Sequence, residues 1–592
     1  MKKIVSAFII MIGLVFQYGC EDVLDKTPDS QITIDKVLAD YNRSKGLIDA
    51  AYGEIYQCRD QISFVMNPIE CLTDNAFWAS TWNAYEWHNG SLSLSNPVIN
   101  WLWASPSEQL WPDFWRGIRL ANNAIKYLPQ STAITEQEGD TWIAEARVLR
   151  CWYYMNLLEF YGPMPWIEEP FEATYDGWNN LKRPTYDKIA TQISNELMAV
   201  INSGILPNRQ PANEGRHVDN GVAYAIRARV LLNNASLLNN PGKDRDKWQR
   251  AADAAQDVLN ISEYSLVPMS EYKKLFIGAF TTQVSEIIWR AGADNSGINN
   301  TNGVDVGEYP YASIAHMWNC GESPTQELVD CFEMTNGVLP VSYVDATHTK
   351  IAVTPEAAEL GYSEDPGGDP YANRDARFYV DILYNMANYG VPYNCTEPFI
   401  VETFVGGRNG FNDVISQETQ HSCTGYYSRK DKQIKFWGPG GSRGNEATHW
   451  VFFRLAEFYL NKAEALCELG DLDGAMKMLN IIRERALQPK IQDVPDFQKN
   501  YDFLINRIRN ERRVEFCLEG WRFHDQRRWK ILNETNRFIT GMRITKDANG
   551  IFHYQRKKIR DYYSYTDKYL VMPIPLEDAK KMTGMTQPEA WQ

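Results

Sequence analysis

The feature that most limits how this chain can fold is a helical hydrophobic repeat broken by glycine. From Arg454 to Leu469, the residues Ala456, Tyr459, Leu460, Ala463 and Leu466 recur at intervals that place them on one face of a helix. Gly470-Asp471-Leu472-Asp473-Gly474 stops that helix, and Ala475–Ala486 resumes with Leu479 and Ile482 facing inward. A connection this short makes the two helices antiparallel, and their alanines allow close approach. The result is a tetratricopeptide-like αα-hairpin, a unit that cannot bury its apolar face alone and needs stacked neighbours. Earlier in the chain the same periodicity predicts helices over Lys36–Tyr56, Gln109–Leu128, Thr141–Tyr161, Tyr186–Ile201, Asn220–Leu238 and Trp248–Leu259. Gly and Pro separate them, as at Tyr161-Gly162-Pro163-Met164-Pro165-Trp166 and Pro241-Gly242, while strand alternation is scarce.

Between about Ile261 and Ala447 the pattern changes. Gly, Asn, Pro and aromatic residues interleave, as in Gly292–Gly307 and Gly438–Gly444, and long irregular segments in a folded chain usually carry function. The chain has 592 residues, whereas a single core stops growing near about 250–300. The expected organisation is a signal peptide over 1–19 and a mature chain over 20–592. Within the mature chain, 35–260 is helical, 261–447 irregular and 448–592 helical again.

The first residues set the compartment. Lys2 and Lys3 precede an apolar or small-residue run from Ile4 to Phe16, and Gly19-Cys20 follows at once. A membrane-spanning helix needs about 20 apolar residues, so this shorter run is that of a secretory signal peptide. A small residue directly before a cysteine marks a thiol that is diacylated and becomes the new N-terminus, and lipidation is expected at Cys20. Gln17 and Tyr18 depart from the strict lipobox, which has an aliphatic and then a small residue there. Loss of Lys2 and Lys3 takes the formal charge from −15 to −17. Neither nucleic acid nor an anionic membrane surface suits so acidic a chain. Of ten cysteines, nine remain after Cys20, with no Cys-x-x-Cys or Cys/His metal spacing. Cys395 and Cys423 lie in loop-like sequence where a disulfide is possible, whereas Cys151, Cys467 and Cys517 fall in helical patterns and read as buried thiols.

Several stretches in order resemble one family. Near the start stands Cys20-Glu21-Asp22-Val23-Leu24-Asp25 with Pro28. It is followed by Glu145-Ala146-Arg147, Leu149-Arg150 and Tyr153-Tyr154 before the Tyr161–Pro165 corner, and by Arg183-Pro184-Thr185. The middle carries Pro324–Phe332 and Arg374-Asp375-Ala376-Arg377-Phe378. Most specific are Arg454–Ala465, then Glu511–Phe516 with Glu519-Gly520-Trp521-Arg522 and Arg528-Trp529, then Met572-Pro573-Ile574-Pro575. Together these resemble the SusD/RagB nutrient-uptake outer-membrane lipoproteins of Bacteroidota. The resemblance implies a mainly α SusD-like globule with tetratricopeptide-like helix pairs and an irregular, loop-rich ligand face. It also implies a lipid-anchored place on the cell surface and a TonB-dependent SusC-like outer-membrane transporter as partner.

Other motifs read as structural. The charges of Arg507–Arg528 are interleaved with Glu511, Glu515, Glu519 and Asp525, which favours i,i+4 pairs and inter-helix salt bridges over a phosphate site. No His-Glu-x-x-His helix or phosphate-cradling loop occurs, and sequence spacing nominates no carboxylate pair for glycoside hydrolysis. An enzyme is not expected, nor a cofactor. Asp365–Asp369 with Glu364 has the oxygen-rich chemistry of a structural calcium site but lacks the EF-hand spacing, and a solvated loop is the preferred reading.

Aromatic residues make up 13% of the chain, with 19 Trp and 32 Tyr. Their apolar faces and polar handles suit sugars, whose C–H faces are ringed by hydroxyls. The candidate ligand-binding residues are Trp78, Trp82, Tyr85 and Trp87 with Asp74, Asn75 and Asn83, joined by Tyr309, Tyr311 and Trp318 from the middle segment. The expected function is capture of a glycan or oligosaccharide at the cell surface and its delivery to the transporter. Capture of peptides or other nutrients on the same scaffold is the alternative, and a surface glycoside hydrolase a more remote one.

Overall fold

The computed structural model describes residues 32–63, 69–78, 87–95, 110–172, 174–212, 216–277, 283–291, 322–392, 395–413, 421–430 and 450–592, with side chains of 56–63 and 291 excepted. Residues 1–31, which include the expected signal peptide and Cys20, lie outside the described residues.

Helices dominate both ends of the described chain. They are α1 (Tyr41–Ser63), α2 (Leu110–Tyr127), α3 (Glu136–Tyr161), α4 (Tyr186–Ser203), α5 (Asn220–Ala235) and α6 (Arg245–Leu259), then α7 (Leu455–Glu468), α8 (Leu472–Arg485), α9 (Tyr501–Glu515) and α10 (Trp521–Arg528). Their starts follow capping chemistry. Thr135 and Glu138 close a capping box that begins α3 five residues before the expected Thr141, and Asp244 caps α6 ahead of Trp248. The expected Lys36–Tyr56 helix is divided, because Asp40 accepts from the Arg43 amide and starts a new helix after the short Ile34–Leu38 turn.

Each helix packs on the next from α1 to α6, and α6 then packs on α7, which packs on α8 and α9. The C-terminal αα-hairpin therefore resumes a stack that broke off after Leu259, nearly 200 residues earlier. Small residues permit the approach: a Cβ on Gly117 of α2 would lie 2.4 Å from the Tyr153 ring of α3. The main core runs along this stack through Ile118, Trp152, Leu157, Ile193 and Ile226, all essentially inaccessible to solvent.

The chain between α6 and α7 is irregular, as expected. Its described helices have four to seven residues and its strands two to five. Strands β1 (Ala76–Phe77) and β3 (Ser323–Pro324) pair antiparallel, as do β2 (Ile287–Ala291) and β4 (Trp450–Arg454). A hairpin of β5 (Phe538–Lys546) and β6 (Phe552–Asp561) was not legible in the sequence. Six of the first seven residues of β5 are buried on both faces, so no period-two alternation marks it.

Buried ion pairs bind the irregular part to the helices. Glu515 of α9 accepts from Arg377 at 2.8 Å, from Arg454 at 2.5 Å and from Arg485. Its main-chain oxygen accepts from Lys430, Arg454 and the Tyr272 hydroxyl. Arg528 and the Trp529 indole converge on Glu464 of α7, and Arg556 of β6 clasps Asp330 at 2.6 and 2.9 Å. Of the Arg507–Arg528 charges, Arg512 and Arg528 bridge helices to Asp525 and Glu464, while Arg507, Arg513 and Arg522 pair with Glu333 and Asp74 outside the helices, and Asp525–Arg528 is an added i,i+3 pair at 2.7 Å.

Cys395 and Cys423 are thiols and not a disulfide, while Cys151, Cys467 and Cys517 are buried thiols. In the calcium candidate, Glu364 is held by Arg556 at 2.7 Å and by the Tyr362 hydroxyl at 2.6 Å. Among the described residues no group of three His, Cys, Asp or Glu side chains is gathered in a metal-ligand arrangement.

Candidate functional site

The first expected aromatic segment is rooted in a buried polar ring. The chain from Ile69 makes a 3-10 turn and enters β1, so that Asp74 and Asn75 point into the protein. Asp74 accepts from Arg522 at 2.8 and 2.9 Å, from Arg513 at 3.1 Å and from Gln526 at 2.6 Å. Burial alone would raise its pKa, but Arg513 and Arg522 outweigh burial and hold the carboxyl below its ordinary value. Asn75 donates to Glu70 at 2.5 Å and accepts from Arg513 at 2.6 Å. Glu70 has its pKa pushed up to about 7, chiefly by burial.

The far root of that segment is equally fixed. Trp87 is fully buried, edge-on to Tyr569 at 4.8 Å and beside Phe523 at 5.6 Å. His88 stacks on Tyr562 with centroids 3.7 Å apart, and its two ring nitrogens lie 2.6 Å from the Tyr565 hydroxyl and 2.7 Å from the Cys71 carbonyl oxygen. That carbonyl can only accept, so Nε2 carries the proton and Nδ1 accepts from Tyr565. Burial lowers the His88 pKa to about 3 and keeps the ring neutral.

Four of the expected ligand contacts are therefore corrected. Trp78 and Trp87 are 3% and 0% exposed, and Asp74 and Asn75 are 3% and 1%. They are core and anchoring residues, because Arg513, Arg522 and Gln526 arrive from a part of the chain 438 to 452 residues away that sequence spacing cannot bring near. Trp82, Asn83, Tyr85, Tyr309, Tyr311 and Trp318 lie outside the described residues.

What the structure does bring together is the roots of the two aromatic segments. In the β1–β3 ladder Phe77 is opposite Ser323 and Ala76 opposite Pro324. The Thr325 amide donates to the Asn75 oxygen at 2.9 Å, and its hydroxyl to that of Asp74 at 2.6 Å. The chain thus leaves β1 toward Trp82, Asn83 and Tyr85 beside the point where it enters β3 from Tyr309, Tyr311 and Trp318. The other end of the middle segment leaves from β2, whose Ala291 is opposite Trp450.

The fold is an α-helical stack carrying a large irregular insertion, with the roots of the two aromatic segments paired in β1–β3. The chain belongs to the SusD family: the model described as "SusD family" matches residues 285–591, and one described as "Starch-binding associating with outer membrane" matches 22–232. It is 24% identical over 549 residues to the starch-binding protein SusD of Bacteroides thetaiotaomicron, covering 88% of this chain and 84% of that one. A SusD-like protein of Bacteroides ovatus is also 24% identical, over 75% of this chain and 71% of the relative.

Solved structures share the fold. A SusD-like protein from Bacteroides fragilis superposes with a TM-score of 0.74 at 23% identity, covering 94% of this chain and 98% of that one. Surface glycan-binding protein A from Bacteroides thetaiotaomicron, solved in complex with laminarihexaose, gives 0.54 at 18% identity over 93% and 99%. Among the described residues no helix is long and apolar enough to cross a membrane.

Proposed function

We propose that this protein is a non-enzymatic, surface-exposed lipoprotein that captures a glycan or oligosaccharide and delivers it to a TonB-dependent SusC-like transporter. The observation that carries the reading is the β1–β3 ladder, which roots the two aromatic segments side by side. Membership of the SusD family supports it, as do relatives whose names record starch or laminarihexaose. Trp82, Tyr85, Tyr309, Tyr311 and Trp318 supply rings for pyranose faces, and Asn83 an amide for the hydroxyls. Buried sugar hydroxyls need such partners, since an unsatisfied one costs about 1–3 kcal/mol.

Trp82→Ala and Trp318→Ala are expected to weaken oligosaccharide binding by about tenfold or more, equivalent to about 1.4 kcal/mol. Neither should change the melting temperature. Calorimetric titration against glycans selected on an array checks this, and unchanged affinity in both variants, or cleavage of the ligand by the wild type, sinks the reading.

The anchor is tested separately. Stable anchoring takes more than one acyl chain, which diacylation of Cys20 supplies. In cells Cys20→Ala is expected to leave the membrane fraction or stay unprocessed, while the wild type is labelled at the surface and co-purifies with a barrel transporter. Identical fractionation of the two forms speaks against the anchor.

A further inference from the structure

A second surface combines aromatic rings with polar groups, on the connection between α3 and α4. It is a cleft of about 590 Å³ whose lining includes Lys126, Trp166, Glu168, Phe171, Glu172 and Tyr175. Small-molecule sites span about 300–1,000 Å³. Trp166 forms one wall. Its ring packs on Tyr154 at 4.4 Å, the Arg150 guanidinium lies 5.0 Å from its centre, and its indole N–H donates to Glu168 at 3.1 Å. Tyr154 is itself fixed, donating to the Pro165 oxygen at 2.9 Å and accepting from the Ile167 amide at 2.7 Å.

Phe171 and Tyr175 of the lining form a packed trio with Trp178. Phe171 and Tyr175 stack with centroids 4.0 Å apart and planes 10° from parallel, and Trp178 stands edge-on to them at 5.1 and 5.0 Å. Tyr175 can lie this way only over a glycine, since a Cβ on Gly177 would come within 2.5 Å of its hydroxyl. Around the rings the rim is acidic. Glu168, Glu169 and Glu172 are exposed, and the one lysine, Lys126, sits 3.8 Å from Glu172. Trp178 is also exposed, at 38%.

We propose that this cleft is a second saccharide subsite for uncharged pyranose units, separate from the residues assigned above and resting on the reading of the chain as a glycan binder. Half-exposed rings held rigid by their neighbours offer flat apolar faces to sugar C–H groups at small entropic cost. Rim carboxylates accept from hydroxyls in strong, charge-assisted hydrogen bonds. The same carboxylates repel uronates and sulfated sugars, because three of them face a single lysine. A long glycan engaging both subsites gains affinity through effective concentration without any further contact.

The test compares wild type, Tyr175→Ala and Glu169→Ala/Glu172→Ala, with neutral and uronate-bearing oligosaccharides as probes, by array, calorimetry and hydrogen exchange. In the wild type, neutral oligosaccharide should protect residues 166–178 and uronates should not. Tyr175→Ala should lose about tenfold in affinity for long neutral chains and the carboxylate variant several-fold. Positions 169 and 172 are exposed, so the second variant separates binding from folding. If the wild type binds neutral glycan while both variants match it and 166–178 stays unprotected, the subsite is overturned and the proposed function stands. Binding of basic peptide without sugar at 166–178 also overturns it, and a wild type that binds no glycan overturns both readings.

Discussion

Glu515→Gln is expected to lower the unfolding free energy by about 3–5 kcal/mol, the cost of removing one partner from a buried ion pair. Its carboxylate is fully buried and is shared by Arg377, Arg454 and Arg485, which come from the irregular part, β4 and α8. Glutamine keeps the volume but leaves those cations short of a counter-charge. Their other acceptors limit the loss, since Asp375 is 2.7 Å from Arg377 and Glu519 is 2.8 Å from Arg454.

The pH dependence has a definite sign. Burial raises the Glu515 pKa, yet Arg485, Arg454 and Arg377 more than reverse that and hold it well below the ordinary 4.5. A carboxyl depressed by folding stabilises the native state fully above its unfolded pKa, and the contribution fades as pH falls toward the folded value. Urea titrations should therefore show a wide gap between wild type and Glu515→Gln at pH 7 and a narrowing gap below about pH 4.5. Arg485→Met added to Glu515→Gln should cost less than the sum of the two single changes. Full additivity, or a gap independent of pH, would show that the network is not acting as one unit.

Trp87→Ala is expected to cost about 3–5 kcal/mol, as large aromatic truncations in cores do. The ring is 0% exposed among Tyr569, Phe523 and Tyr565. Its indole nitrogen has no hydrogen-bond partner among the described residues, so Trp87→Phe should be much milder. The variant protein that does fold should bind oligosaccharide as the wild type does. Early melting with intact binding marks a core residue, whereas normal melting with lost binding would return Trp87 to the ligand site.

The scaffold was legible because its signals are local. Three- and four-residue periodicity, Thr135, Thr185, Asp219 and Asn500 at helix starts, and the glycines after α4 and α7 all act within a few residues of one another. The Arg454–Ala486 hairpin needed nothing else. The β5–β6 hairpin escaped because its burial comes from neighbours on both faces. Trp166, Phe171, Tyr175 and Trp178 also escaped as a site, although four rings and three glutamates within 166–178 were there to be counted.

The division between core and surface among the aromatics was a tertiary matter. Sequence placed Trp78 and Trp87 in a Gly/Ser/Asn-rich stretch, where exposed rings are normally put to use. The fold sets Trp87 against Phe523 of α10 and Tyr569, more than 430 residues further on, and buries Trp78 in the same core. Likewise Asp74 and Asn75 have the chemistry of sugar contacts, and only the arrival of Arg513, Arg522 and Gln526 turns them into anchors. By itself the sequence determined a helical scaffold, an acidic charge and the aromatic supply, since each depends on residues near one another or on composition alone. Which rings are buried, which charges are paired and which two segments share a root depend on long-range packing, and those the tertiary structure decided.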